Sequence, residues 1–168
     1  MYSANLCIND SSYTNDDAIS NAINYITRLK DNNIFFYGNW PPNSQSAVEL
    51  YEELRLRFPD QTCPQQIQHF WISFGNLSDV HFINEYTESL AFLFAPVFPI
   101  CFATHEEDNK HLHTHFVVST TSFIPNHPPL VKNVWRTYLD NMKQYSKLYH
   151  KIFLTEFHKI PSDTWQRK

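Results

Sequence analysis

The sequence predicts an α+β fold. Amphipathic helical stretches alternate with short runs rich in aromatic and β-branched residues. Two of those runs, Ile100 to Thr104 and His113 to Thr120, are joined by the polar stretch EEDNK, which makes a hairpin-like turn between antiparallel strands plausible. The chain has 168 residues, of which 42% are hydrophobic and 18% charged. That is enough to bury one core without disulfide staples, so residues 1–168 are read as one domain.

The elements follow in chain order. Residues 16–30 read as a helix, with Asn15 or Asp16 to cap it and Arg28 and Lys30 suited to its C-terminal end. Ala18, Ala22, Tyr25, Ile26 and Leu29 share one face of it. Residues 31–45 read as a loop, broken by Gly38 and the Pro41-Pro42 pair. A second helix runs from about Ser46 to Phe58 and stops at Pro59. Gln68 to Phe74 reads as a strand, residues 81–95 as a helix ended by Pro96, and residues 121–130 as a loop broken by prolines. The last long helix covers about 131–151. Its Trp135, Tyr138, Met142, Tyr145 and Tyr149 form a stripe that belongs to the core rather than to a base-stacking surface.

Composition narrows the function. Two glycines in the whole chain leave no Gly-rich phosphate loop. Three widely spaced cysteines (Cys7, Cys63, Cys101) make neither a disulfide framework nor a thiolate zinc site, which fits a reducing cytoplasm. The longest apolar run, Leu90 to Ala103, is short and holds two prolines, so no membrane segment is expected. The net charge of −4 is unevenly spread: residues 1–130 carry 5 basic and 14 acidic side chains (net −9), and residues 131–168 carry 8 and 3 (net +5).

Four of the nine histidines fall in one short segment: His105, His111, His113 and His115. Residues two apart on a strand point to the same side, so His111, His113 and His115 can project together, and His105 returns over them if the two strands pair. Converging neutral imidazoles suit a divalent metal, and three such ligands with open positions describe a catalytic rather than a structural centre. His111 competes with His113 for a ligand place. Glu106, Glu107 and Asp108 offer a carboxylate as a ligand or to orient an imidazole. His69, His81, His127, His150 and His158 are scattered and read as ordinary surface or core residues.

This block, His105 followed by an acidic turn and His113-Thr114-His115 entering a hydrophobic strand, resembles the metal-binding motif of plasmid and conjugative relaxases, the mobilisation nucleases of the HUH endonuclease superfamily. Two further blocks stand in the expected order: Ala22-Ile-Asn-Tyr25-Ile-Thr resembles the segment carrying the nucleophilic tyrosine, and Gln68-His-Phe-Trp-Ile-Ser-Phe74 resembles the family's central strand. The likeness covers roughly residues 15–150. The turn departs from the usual Asp-Thr-Asp run, and Thr114 is polar where a hydrophobic residue is common.

The resemblance implies a central antiparallel sheet with helices packed on its faces. It implies strand-specific nicking of single-stranded origin DNA, with Tyr25 as nucleophile and a 5′-phosphotyrosyl intermediate. It also implies a divalent ion, Mn²⁺ or Mg²⁺, on His105, His113 and His115, helped by Glu107 or Asp108. Tyr13 and Tyr37 are the alternative nucleophiles. Lys132, Arg136, Lys143, Lys147 and Trp40, with Phe35 and Phe36, are the expected DNA contacts, and accessory mobilisation proteins the expected partners. A rolling-circle replication initiator, a metal-dependent hydrolase and a non-catalytic metal- or DNA-binding module are the competing readings.

Overall fold

The computed structural model describes residues 1–27, 37–38, 43–106 and 111–159, with only the backbone described at 37–38. Six strands form one sheet: β1 (Tyr2–Asn9), β2 (Tyr37–Gly38), β3 (Ile67–Ser73), β4 (Ile100–Glu106), β5 (Leu112–Ser119) and β6 (Ile152–Lys159). Their order across the sheet is β2-β4-β5-β3-β1-β6. The helices are α1 (Ala18–Thr27), α2 (Ser44–Arg57), α3 (Val80–Phe94) and α4 (Lys132–Tyr149), with a short 3₁₀ turn at Pro59–Gln61. The α+β class therefore holds. The sheet itself is mixed rather than antiparallel: β2 to β1 alternate in direction, but β6 runs parallel to β1, with Tyr2 opposite Ile152 and Asn9 opposite Lys159.

Strand alternation sorts the core into two halves. One face presents Leu6, Ile8, Phe70, Ile72, Phe102, Phe116, Val118, Ile152 and Leu154, and packs on α3 and α4 through Leu90, Phe94, Leu139 and Met142. Phe70 and Phe116, on adjacent strands, stack there with centroids 4.7 Å apart. The other face presents Ile67, Cys101, Ala103 and Val117 to Ile19, Ala22, Ile23 and Ile26 of α1 and to Ala47, Val48 and Tyr51 of α2. Helices thus cover both faces. Local signals set their ends: the Asn43 side chain accepts the Ser46 N–H to start α2, and Asp79 accepts the Phe82 N–H to start α3.

Four departures from the sequence reading stand out. Neither β1 nor β6 was expected, and β2 lies in the stretch read as a loop. On α4, Trp135, Tyr138, Met142 and Tyr145 join the core as expected, but Tyr149 is exposed and Leu139 takes a buried place. Leu29, Arg28 and Lys30 lie outside the described residues.

Candidate functional site

The β4–β5 hairpin puts His105 directly opposite His113, and Ala103 opposite His115. On the other side of β5, β3 places Ser73 opposite His113 and Trp71 opposite His115, with His69 next along the same face. All of these lie on the α1 side of the sheet. His105 and His115 stack with centroids 4.8 Å apart and planes 13° apart, and His105 stands 6.1 Å from His113. Trp71 stacks on His115 from the opposite flank at 5.4 Å.

Tyr25 stands over this row. It lies on α1, on the face that meets the sheet, and its ring meets His115 edge-on at 5.8 Å and His69 at 6.1 Å. Tyr25 is half-buried, while His105 and His115 are buried and His113 is half-buried. The phenol and the three imidazoles predicted from sequence therefore share one wall of the molecule. His111 does not join them: its Nδ1 lies 2.6 Å from the Gly75 carbonyl oxygen, which accepts its N–H. Gly75 has φ of 57°, a left-handed conformation that glycine adopts without penalty.

Sequence reasoning missed His69. It sits at the centre of a hydrogen-bonded chain, with Nε2 3.1 Å from His115 Nδ1 and Nδ1 2.9 Å from the Tyr13 hydroxyl. Asn9 closes the chain: its Oδ1 accepts the Ser11 N–H, which turns Nδ2 toward the Tyr13 oxygen at 2.6 Å. Run inward from Asn9, the chain has Tyr13 donating to His69 and His69 donating to His115, which leaves the hydrogen of a neutral His115 on Nε2. Run outward, His115 Nδ1 donates to His69 and Nε2 keeps a lone pair. The first direction offers a donor to an anion and the second a ligand to a metal. Only the pairing of β3 with β5, a contact remote in sequence, reveals this arrangement.

Burial sets the charge state of the wall. It pushes His69 down from the usual 6.5 to about 4. His115 is held well below 6.5 by burial and then by its neighbours His69, His105 and His113. Both rings are therefore neutral near pH 7. Burial also pushes the Tyr13 phenol up, with the Asn9 hydrogen bond opposing and the nearby Tyr25 adding to the rise. Tyr13 is thus a poorer nucleophile than an unperturbed phenol.

A divalent ion fits this wall in donor chemistry. Three imidazoles stand side by side, and His115 Nε2 is buried with no hydrogen-bond partner among the described residues. The rings are stacked rather than aimed at one point, and among the described residues no three His, Cys, Asp or Glu side chains are arranged to hold a metal ion. Ring centroids 4.8 and 6.1 Å apart leave side-chain rotation as the adjustment that a shared ion would ask for. Glu107 and Asp108 lie outside the described residues.

The expected DNA contacts are placed differently. Lys132, Arg136, Lys143 and Lys147 all lie on α4, which packs on the Phe70 face, opposite the histidines. Arg136 binds Asp140 at 2.7 Å and Glu156 at 2.9 Å, and Lys143 also pairs with Glu156, so two of these cations are already matched by carboxylates. Lys132 and Lys147 are exposed. Trp40, Phe35 and Phe36 lie outside the described residues, as does the Tyr37 side chain.

No protein-family model matches the sequence, and no curated protein and no solved structure does either. Among the described residues, no helix is long and apolar enough to cross a membrane.

Proposed function

We propose that this protein is a DNA-nicking transesterase of the relaxase type, acting on single-stranded DNA at an origin. The observation that carries the reading is the phenol of Tyr25 set edge-on to His115 at 5.8 Å, beside His105 and His113. A nucleophile and a wall of imidazoles on one surface are parts that a phosphodiester exchange can use.

In this reading Tyr25 Oη attacks phosphorus. The Oη–P bond forms, the P–O3′ bond breaks, the phenol proton leaves and the departing 3′ oxygen takes one up. The products are a 5′-phosphotyrosyl adduct and a free 3′-hydroxyl, and no phosphoester is lost, so the reverse step reseals the strand. The phenol needs help, because at an ordinary pKa near 10 only about one molecule in a thousand is ionised at pH 7. His105, His113 and His115 would hold a divalent ion, Mn²⁺ or Mg²⁺, which when bound polarises the phosphate and stabilises charge on the displaced oxygen. With the chain through His69 and Tyr13 run outward, His115 donates from Nδ1 and keeps a lone pair on Nε2 for that ion.

The test is covalent capture. A pool of single-stranded oligonucleotides incubated with the protein and Mn²⁺ is expected to give a detergent-stable adduct that disappears in Tyr25→Phe and survives in Tyr13→Phe. Cleavage without any adduct would indicate a water nucleophile and overturn the proposal.

A further inference from the structure

The sheet face that carries the histidines is covered over only part of its width. Helix α1 packs on β3, β4 and β5, and among the described residues no helix lies over β1 and β6 on that side. The register and the exposure of the residues identify what is left open: Ser3 and Asn5 of β1, and Phe153, Thr155, Phe157 and Lys159 of β6, beside the half-buried Trp71 and Ser73 of β3.

Three properties of this surface point to one kind of occupant. First, Phe153 and Phe157 stand 51% and 44% exposed on an edge strand, where polar or charged residues are the usual protection. Trp71 is half-buried between them and the histidines, and the Lys159 ammonium sits 5.7 Å from its ring centroid. Second, no strand residue on this face is Asp or Glu, although the chain carries 17 acidic against 13 basic residues. The carboxylates of β4 and β6, Glu106 and Glu156, belong to the other face. Third, the surface is continuous with the candidate site, since Trp71 stacks on His115. From β5 to β6 it spans three strand spacings, roughly 14 Å.

We propose that this open surface is a track for single-stranded DNA, with bases stacking on Trp71, Phe157 and Phe153, and with Lys159 meeting the backbone. Flat aromatic surfaces serve unpaired strands, because every base has a face to stack, whereas a duplex hides its bases. The choice of DNA rests on the nicking reading above; the existence of the track rests on the surface itself.

The experiment measures binding of a fluorescein-labelled pool of random single-stranded 20-mers by anisotropy, with the duplex form as comparison, for the 168-residue chain. Phe153 and Phe157 are exposed, so Phe153→Ser/Phe157→Ser is expected to melt as the parent does, and Trp71→Phe, at a half-buried place, provides a second variant that keeps an aromatic ring. Single strands are expected to bind more tightly than duplex. The double variant is expected to bind at least tenfold more weakly, and Trp71→Phe to stay within a fewfold. Loss of affinity in the double variant without any adduct from the parent would sink the nuclease reading and leave the track standing. Adduct formation at the parental rate by a double variant of undiminished affinity would do the reverse. A double variant that turns a dimer into a monomer in sedimentation, with affinity unchanged, would assign the surface to a second copy of the chain and overturn the track.

Discussion

Acid should unfold this protein through its buried histidines. His69 is 5% exposed, and burial takes its pKa from 6.5 to about 4. The unfolded chain therefore binds a proton that the folded chain refuses, so the stability present above pH 6.5 is lost as pH falls toward 4. A displacement of about 2.5 in pKa, at 1.36 kcal/mol for each, is worth about 3 kcal/mol, most of it gone by pH 4.5. His115 is displaced in the same direction and adds to the loss. Other groups act elsewhere on the pH scale. His158 is raised above 6.5 by Asp10 and Glu156, so its contribution is complete below 6.5 and fades only above it. Glu156 is held down to about 2, by Lys143, Arg136 and His158 against its own burial, so its contribution fails below about pH 4.5. Against a total stability of about 5–15 kcal/mol for a domain of this kind, the histidine loss is a large share. Urea unfolding followed by far-ultraviolet circular dichroism, in EDTA at pH 7.0, 6.5, 5.5 and 4.5, measures it. In His69→Gln the amide keeps a donor for His115 and an acceptor for Tyr13 but does not titrate, so the fall over that window should shrink to the remainder. Stability that is flat from pH 6.5 to 4.5, or a variant with the parental slope, refutes the reasoning.

Other outcomes follow from the same geometry. Arg136→Ala and Lys143→Ala are expected to leave oligonucleotide affinity within about twofold, because both cations face away from the histidines and pair with carboxylates; the exposed Arg136–Asp140 pair contributes only about 0–1 kcal/mol to stability in a urea melt. Phe70→Ala, which empties a fully buried place between Phe116, Phe94 and Trp135, should cost about 3–5 kcal/mol by the same melt. Mn²⁺ titration followed by electron paramagnetic resonance should show one site that is weakened at least tenfold in His113→Ala and unchanged in His111→Ala, since His111 is engaged by the Gly75 carbonyl.

The helices were legible because their apolar residues repeat on one face: Ala22 and Ile26 of α1 pack on the sheet as their spacing requires. The histidine hairpin was legible for a similar reason, since period two on β5 and a short turn from β4 leave His113 opposite His105. Strand β6 was hidden by its own chemistry. Ile152 and Leu154 face the core while Phe153 and Phe157 face outward, so apolar residues occupy both sides and the alternation is masked. Strand β1 carries a cleaner alternation, with Ala4, Leu6 and Ile8 inward and Ser3 and Asn5 outward, and that pattern was readable. Local sequence does not say which face of a sheet a helix takes. The lysines of α4 therefore looked available to the site, yet the connection from β5 to β6 carries them to the opposite side. His69 was obscure for the same kind of reason, since its neighbours Tyr13 and His115 meet it only through strand pairing and a loop distant in sequence.

The central claim is that the Tyr25 phenol acts on a phosphodiester at the imidazole wall. Protease digestion of the detergent-stable adduct, followed by mass spectrometry, tests it at the level of the bond. A 5′-phosphonucleotide attached to the peptide that contains Tyr25 is the expected result. Attachment to Tyr13 or to any other residue, or a cleaved strand with no nucleotide left on the protein, would contradict the account.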